Sequence, residues 1–257
     1  TKMKKCVFTR YSDSIVLPTI IQIKSNLYAV VFKLMKLLPA RNIIQEAYRR
    51  GEIKNNYTVV DTSSGTFALG MGIICCELGL RFKIFGDPVI DKHLLTRLEE
   101  LGGSVHIVKK AKNKGAYQIE RLKALHLYLS QNQLSFWANQ YDNLENNQSY
   151  AIVGELIIDT IGKDVNIVGP VGSGGSTGGI IEAIRNYNVN AELIGVDTFN
   201  SILFGQPDGV RELRGLGNTI MPKNLHHQLY DQIHWVGAND AALFTRQLHK
   251  HHALFCG

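Results

Sequence analysis

Short apolar runs alternate with longer amphipathic stretches along most of the chain. Runs of four to six apolar residues rich in Val and Ile indicate buried strands, whereas apolar positions repeated every three or four residues indicate helices. Predicted strands cover 27–32, 57–61, 81–85, 104–108, 165–168 and 192–196, and predicted helices cover 41–50, 67–78, 92–101, 150–161, 178–187 and 240–249. Strands separated by such helices indicate right-handed βαβ units, so we predict an α/β fold with mainly parallel sheets flanked by helices.

The stretch 110–150 departs from this alternation. It is polar and rich in Asn and Gln, and we predict that it forms the connection between two lobes of the molecule. Elsewhere Gly51, Gly79 and Gly102 each follow a predicted helix, where glycine is the favoured C-terminal cap.

A glycine-rich turn, Val168-Gly-Pro-Val-Gly-Ser-Gly-Gly-Ser-Thr-Gly-Gly179, joins a predicted strand to a predicted helix. Backbone N–H groups at a helix N-terminus, together with the helix dipole, attract an anion and most often a phosphate. Glycine lets the backbone approach that phosphate, and serine adds a hydroxyl donor. The pattern favours a phosphate-binding loop over a tight turn with helix-packing glycines. The candidate residues are Gly172, Ser173, Gly174, Gly175 and Ser176.

A second strand–turn–helix junction lies at Val59–Thr66. Its hydroxyls and N–H groups suit a carboxylate by the same helix-terminus argument. The alternative is structural, with Ser64 capping the helix and Asp61 ending the strand. Gln140 and Asn143 lie in a polar segment before the next helix, where they fit turn formers as well as ligands.

Composition and charge narrow the class of protein. The chain has 257 residues, 45% of them hydrophobic and 19% charged, which is typical of a soluble protein with one large domain or two smaller ones. No apolar run approaches the roughly 20 residues of a membrane-spanning helix, and no signal-peptide pattern is present. The net charge is +6, and the basic cluster 109–114 is interpreted as a solvated loop rather than a nucleic-acid surface.

The cysteines and histidines do not indicate a metal site. The four cysteines, at 6, 75, 76 and 256, lack metal-type spacing and favour a reduced cytoplasmic setting. The histidine groups at 226–227 and 249–252 have no Cys or carboxylate partner at a ligand spacing, so we predict no bound metal.

Three segments, in this order, resemble the cysteine synthase-like family of pyridoxal-phosphate enzymes, the fold type II group. The loop Ser63-Ser64-Gly65-Thr66 is similar to the family's Thr-Ser-Gly-Asn loop, and Gln140-Tyr-Asp-Asn143 is similar to its Gln-Phe-x-Asn segment. The Gly172-Ser-Gly-Gly-Ser176 loop is similar to its Gly-Thr-Gly-Gly-Thr phosphate loop. The similarity covers about residues 14–257, and the ordered set is more specific than any one part.

This resemblance implies pyridoxal phosphate as cofactor, with its phosphate on residues 172–176 and Thr66 at the position of a cofactor-contacting asparagine. It implies a lysine that forms a Schiff base and removes the α-proton. The expected reaction is β-replacement or β-elimination on an O-activated serine or related amino acid. The residues expected to hold the substrate's carboxylate are Ser63, Ser64, Gly65 and Gln140.

The resemblance further implies two domains and a homodimer. A large domain, 1–36 with 144–257, would bind the cofactor phosphate, and a small domain, 37–143, would bind the substrate carboxylate. The expected partners are the small amino-acid substrate and a second copy of the chain, with no nucleic acid and no membrane.

The lysine region departs from the family pattern, because the Asn-Pro-x-x-Ser-x-Lys-Asp-Arg context is absent. Counting back from Gly51 without gaps places Lys36 near the catalytic position. Three interpretations stay open: Lys36 forms the Schiff base, a modified lysine is missing from the sequence, or the lysine has been lost. An ordinary solvated lysine at a helix start is the alternative interpretation of Lys36. At the other end, 252–257 resembles a family strand that precedes a serine facing the pyridine nitrogen.

Two other functions compete. A strand, a glycine turn, a helix and a strand ending in Asp197 also outline a dinucleotide-binding oxidoreductase, in which the acid would bind a ribose hydroxyl. A catalytically inactive relative that serves as a binding protein or dimer partner is the other alternative.

Overall fold

The computed structural model describes residues 7–109 and 117–256. Its strands are Thr19–Lys24 (β1), Leu27–Val31 (β2), Thr58–Thr62 (β3), Arg81–Gly86 (β4), Ser104–Ile107 (β5), Ser135–Trp137 (β6), Ile167–Pro170 (β7), Leu193–Thr198 (β8) and Gln232–Val236 (β9). Its α-helices are Tyr11–Ile15 (α1), Leu37–Arg49 (α2), Thr66–Leu78 (α3), Lys92–Glu100 (α4), Tyr117–Gln131 (α5), Glu145–Gln148 (α6), Ala151–Ile161 (α7), Gly175–Arg185 (α8) and Ala238–His252 (α9).

Two parallel sheets carry the fold. The first has the strand order β5-β4-β3-β6, and the second has the order β7-β8-β9. Strands β1 and β2 form a separate antiparallel hairpin. α-Helices lie in the connections between the parallel strands except between β8 and β9, where residues 199–231 form a long crossover with two short 3-10 turns. The predicted α/β fold with mainly parallel sheets is confirmed.

The first sheet changes direction next to β3. The chain adds β4 and then β5 on one side of β3, and afterwards returns through α5 to place β6 on the other side. The carboxyl ends of β3 and β6 therefore form a switch point, the place where open parallel sheets form a crevice that binds ligands.

Helix α3 is apolar on every side and forms the centre of the core, with Phe67, Met71 and Ile74 buried. It packs against α2 at very short range, because Gly70 has no side chain: a Cβ there would lie 2.9 Å from the Lys36 carbonyl oxygen. Close packing of this kind leaves the α3–α2 contact little freedom to shift. The start of α2, and Lys36 with it, is therefore fixed against α3.

Pro39 lies in the first turn of α2, where N–H groups have no intrahelical acceptor, so proline is tolerated there. The hydroxyl of the fully buried Tyr150 donates to the carbonyl of Met35, just before this helix, at 3.1 Å. A side chain from the start of α7 thus satisfies a carbonyl that the helix does not use. This contact holds the residue before Lys36 from the side opposite α3.

The sequence interpretation was wrong in three places. The stretch 110–150 is more than a connection, because it contains α5 and the strand β6 at the edge of the first sheet. The resemblance of 252–257 to a strand is also wrong, because α9 continues to His252 and 253–256 have no regular structure. Strands β1 and β9 were missed. Residues 110–114 of the basic cluster and Cys6 lie outside the described residues.

Candidate active site

A buried carboxylate anchors the switch point of the first sheet. Asp61 lies near the end of β3, and its two oxygens accept hydrogen bonds from the Thr62 N–H (2.7 Å), Trp137 Nε1 (3.2 Å) and the Gln140 N–H (3.0 Å). Burial raises the pKa of Asp61 to about 6, while these donors oppose that rise. The effect is to tie the loops after β3 and β6 to each other.

The loop from Ser63 to Thr66, hereafter the hydroxyl loop, follows β3 directly. The Ser63 hydroxyl oxygen accepts from the N–H groups of Gly65 (3.2 Å) and Ala68 (3.3 Å), so Ser63 caps α3. The structural alternative had assigned that cap to Ser64, whose hydroxyl has other partners. The Thr66 side chain is exposed at the first position of α3.

Gln140 lies beside the hydroxyl loop, just after β6. The Gln140 side-chain amide donates to the Thr62 carbonyl at 2.9 Å. The Gln140 backbone carbonyl accepts from the side chains of Asn146 (2.5 Å) and Asn224 (3.1 Å). The residue is almost completely buried. Gln140 therefore connects the first sheet to residues that surround the glycine-rich turn.

That turn, residues 172–176 and hereafter the glycine loop, runs from the end of β7 into α8. Gly174 has the left-handed φ of +82°, and a Cβ there would lie 2.7 Å from the Asn224 carbonyl oxygen. A Cβ at Gly175 would lie 2.3 Å from Asn146 Oδ1. The first N–H groups of α8 have no intrahelical acceptor, as at any helix start. The geometry is that of an anion-binding helix N-terminus.

Lys36 brings an amine to the glycine loop. Its Nζ donates to Ser173 Oγ at 3.4 Å, across 137 positions of sequence. Among the residues that the structure describes, no carboxylate lies within ion-pair distance of this amine. Burial lowers the pKa of Lys36 to about 8. A lysine with a lowered pKa is a better nucleophile near neutral pH, because more of it is uncharged.

One chain of hydrogen bonds joins the two loops and the amine. Asn146 Nδ2 contacts Ser173 Oγ (3.3 Å) as well as the Gln140 carbonyl, and Gln140 in turn bonds Thr62. The structure thus brings together Lys36, the glycine loop, Gln140 and the hydroxyl loop. It gives Thr66 no hydrogen bond within the described part of the chain. The individual roles of these residues stay predictions.

Sequence reasoning missed the residues that support this site. Asn146 and Asn224 pack against the glycine loop, and the Oδ1 atom of each is buried without a partner among the described residues. Arg121 and Asp87 form a buried ion pair beside the hydroxyl loop. Asn146 lay next to the quoted Gln140 segment and offered a weak signal. Arg121 and Asp87 offered none, because their contact depends on the folded sheet.

Residues 7–109 and 117–256 contain neither a membrane-spanning helix nor a metal-binding cluster. No helix there combines the length and the hydropathy that crossing a bilayer requires. No group of three or more His, Cys, Asp or Glu side chains there is arranged to hold a metal ion.

Solved structures show which class of protein has this fold. The O-acetylserine dependent cystathionine beta-synthase from Helicobacter pylori is 19% identical, with a TM-score of 0.90 over 98% of this chain and 87% of that one. The O-acetyl serine sulfhydrylase isoform 3 from Entamoeba histolytica is 18% identical, with a TM-score of 0.90 over 100% and 81%. An O-ureido-L-serine synthase is 18% identical, with a TM-score of 0.85 over 98% and 83%. The fold is that of the fold type II pyridoxal-phosphate enzymes.

The amino-acid sequence identifies the family to which the chain belongs. The pyridoxal-phosphate dependent enzyme family matches residues 34–257, so the chain belongs to this family and its cofactor is pyridoxal phosphate. The resemblance drawn from the sequence is confirmed, and the dinucleotide-binding alternative is wrong. Asp197, the proposed ribose ligand, is a buried carboxylate that accepts from the Thr198 N–H at 2.8 Å.

The residues present fit pyridoxal phosphate. The group needs an amine for its aldehyde and a cluster of N–H donors for its phosphate. Lys36 supplies an amine without a carboxylate partner, and the start of α8 supplies the donors beside it.

Proposed function

We propose that this enzyme catalyses β-replacement or β-elimination on an O-activated serine or a related amino acid. The contact between Lys36 Nζ and Ser173 Oγ carries the proposal, because it places a low-pKa amine next to the phosphate loop. The similar structures named for O-acetylserine and O-ureido-L-serine support this substrate class.

Each part of the site has a proposed role. When bound, pyridoxal phosphate supplies an electron sink that stabilises negative charge at the substrate's Cα. Lys36 Nζ holds the cofactor and takes the α-proton of the substrate. The glycine loop holds the phosphate with its N–H groups and with the Ser173 and Ser176 hydroxyls. Once the Cα proton has been removed, the leaving group departs from Cβ with its bonding electrons. In replacement a nucleophile then adds to Cβ and Lys36 Nζ returns a proton to Cα, whereas in elimination the unsaturated amino acid is released and hydrolysed to pyruvate and ammonia.

The hydroxyl loop is proposed to bind the substrate's carboxylate. The Ser63 oxygen acts as the acceptor in both of its hydrogen bonds, so its proton is available for donation. The first N–H groups of α3 and the Gln140 side chain lie next to it. Thr66 is proposed to add one hydrogen bond to the cofactor from the first turn of α3.

The larger organisation is also a proposal. The first sheet lies entirely within 37–143 and the second within 144–257, which supports the small and large domains predicted from the sequence. We further propose a cytoplasmic homodimer. Light scattering on the purified protein measures the mass in solution, and a monomer at micromolar concentration would contradict this part.

Borohydride trapping tests the cofactor and the lysine together. The purified protein is loaded with pyridoxal phosphate, reduced with borohydride and digested, and the peptides are identified by mass spectrometry. The label is expected on Lys36. In Lys36→Ala the label and the cofactor absorbance disappear, whereas in Lys33→Ala, the matched control at an exposed position, both stay. A label on another lysine would overturn the Lys36 assignment, and no label would indicate an inactive relative.

Turnover tests the reaction. The wild type is given O-acetylserine or O-phosphoserine with sulfide, and amino-acid products and pyruvate are measured. Amino-acid products indicate replacement, and pyruvate indicates elimination. If Lys36 is labelled but neither amino acid is turned over, these two compounds are not substrates and the assignment of the substrate class is wrong.

A further inference from the structure

A buried ion pair lies directly behind the hydroxyl loop. Arg121 Nη1, from α5, is 3.0 Å from Asp87 Oδ2, just after β4, and the two side chains are only 9% and 8% exposed. These charges come from two different elements of the first sheet. Neither residue belongs to the parts of the site assigned above.

The ion pair uses both the acceptor and the donor capacity of the Ser64 hydroxyl. Arg121 Nη1 donates to Ser64 Oγ at 2.8 Å, and the Ser64 hydroxyl donates to Asp87 Oδ2 at 3.1 Å. The Ser64 side chain is therefore already occupied before a substrate enters. This differs from Ser63, whose proton is still available for a ligand.

Stability alone explains this pair poorly. Two buried charges lose their hydration, and a well-packed apolar pair of similar volume is often equally stable or more so. What an apolar pair cannot do is fix a neighbouring hydroxyl as donor and acceptor at once. Asp87 also orders its own loop, because its Oδ1 accepts from the Val89 N–H at 3.1 Å. Arg214 reaches over from the residues before the Gly215–Gly217 turn and donates to the Val89 carbonyl at 2.9 Å.

We propose that Arg121 is a positioning residue for the substrate's carboxylate. Together with Asp87 it fixes Ser64, and through Ser64 it holds the N–H groups of the hydroxyl loop in the orientation that receives the carboxylate. This inference rests on the proposed function of that loop. A positioning role predicts that losing the pair weakens binding of every α-amino-acid substrate to the same degree, whatever the leaving group.

The test compares the loaded wild type with four variants and with a fifth that adds Ser64→Ala to the double change. Arg121→Met/Asp87→Leu removes both charges together, so no lone charge stays buried. Ser64→Ala removes only the hydroxyl and keeps the ion pair. Arg121→Lys keeps one charge without the planar fork of donors. Lys123→Met, on the same helix in an exposed pair with Glu120, is the matched control.

The positioning role affects KM far more than kcat. The double variant is expected to raise KM at least tenfold with kcat changed less than threefold, and Ser64→Ala is expected to raise KM three- to tenfold. Adding Ser64→Ala to the double variant gives no further increase, because the link is already broken. Arg121→Lys lies between wild type and the double variant, and Lys123→Met matches wild type. The substrate-induced change in cofactor absorbance provides a binding constant that follows KM.

The outcomes separate this inference from the function on which it rests. A wild type that binds no cofactor and turns over no amino acid overturns both. A working wild type with an unchanged KM in the double variant and in Ser64→Ala overturns the inference alone. Arg121 Nε is buried without an acceptor among the described residues, so a direct anion contact gives a distinct result. A KM increase confined to O-phosphoserine and absent for O-acetylserine would assign Arg121 to the leaving group and overturn the positioning role.

Discussion

The hydroxyl loop and the glycine loop begin alike and are held differently. In each, a serine at the end of a parallel strand accepts the N–H two residues later, Gly65 to Ser63 and Gly175 to Ser173. Behind the glycine loop lie neutral amides in close contact, from Asn146 and the Asn224 backbone. Behind the hydroxyl loop lies a charged pair. One loop is fixed by steric fit and the other by electrostatics.

The two cationic side chains near these loops also differ, because only one of them has a carboxylate partner among the described residues. Arg121 has a carboxylate partner and stays charged, which suits a group that holds its neighbours in place. Lys36 has no carboxylate partner among the described residues, and burial lowers its pKa to about 8. An amine without a carboxylate partner beside the glycine loop is partly uncharged near neutral pH, which suits a reactive group. The comparison contrasts a residue proposed to maintain geometry with one proposed to react.

The largest expected effect is at Gly174. Gly174→Ala should cost about 3 kcal/mol or more and abolish cofactor binding, because it combines a left-handed φ with backbone atoms 2.7 Å from the new Cβ. Gly205→Ala is the matched control, since Gly205 has φ +86° with nothing within 4 Å. That control should cost only about 1–2 kcal/mol. Urea unfolding and cofactor titration measure both variants, and equal losses would contradict steric fit at the glycine loop.

Lys36→Met should stabilise the cofactor-free protein by roughly 1–3 kcal/mol at pH 7. The folded pKa of Lys36, about 8, is below the ordinary lysine pKa of 10.5, so the unfolded chain binds more protons between these values. Wild-type stability should therefore rise as the pH increases from about 8 to 10.5, and the advantage of the variant should shrink there. Unfolding free energies at pH 7 and 10 measure this. A constant difference would show that Lys36 carries no unpaired buried charge.

Ser63→Ala and Ser173→Ala compare the two loops at equivalent positions. Ser63→Ala frees the Gly65 N–H and leaves the Ala68 N–H with only the Gly65 carbonyl as acceptor, so it should cost about 1–1.5 kcal/mol. Ser173→Ala frees one backbone N–H and should cost about 0.5–1 kcal/mol. The larger effect of Ser173→Ala should be on cofactor affinity. Calorimetric unfolding and cofactor titration separate the two quantities, and the opposite ranking would contradict the cap at Ser63.

Tyr150→Phe should have the smallest effect on cofactor binding. It removes the side-chain donor to the Met35 carbonyl and should cost about 1 kcal/mol of stability. The rate of cofactor loading should fall a few-fold, since the segment before Lys36 is less fixed. Stopped-flow absorbance measures that rate. A normal loading rate with reduced stability would limit Tyr150 to a structural role.

The sequence predicted the local features of the fold well and the distant ones poorly. Helix α3 is a long apolar run closed by Gly79, and strand β4 alternates polar and apolar residues before Gly86, so their bounds differ from the prediction by one residue at most. Strand β6 has three residues, and no periodicity can be recognised over so short a run. It becomes a strand because it pairs with β3, which precedes it by more than seventy positions. Tertiary pairing decided that element.

The site divides in the same way. The glycine loop could be predicted, because a strand, glycines, hydroxyls and a helix adjoin in sequence. The contact of Lys36 with Ser173 spans 137 positions, and the family's usual context around the lysine is absent, so the sequence left its role open. Arg121 was missed because a single arginine in a polar stretch has no recognisable pattern. The proposed role of Arg121 depends on its contacts with Asp87 and Ser64, which form only in the folded sheet.

The bonds that Asp61 makes to Trp137 and Gln140 close loops of 76 and 79 residues. Closing loops of that length costs entropy before any contact compensates, so such pairings form slowly. During synthesis, β3, β4 and β5 emerge well before β6, and the edge of β3 that receives β6 stays unpaired until then. An unpaired strand edge is a template for association with other chains. The late pairing of β3 with β6, which forms the switch point, therefore leaves the nascent chain open to misassembly until β6 has been synthesised.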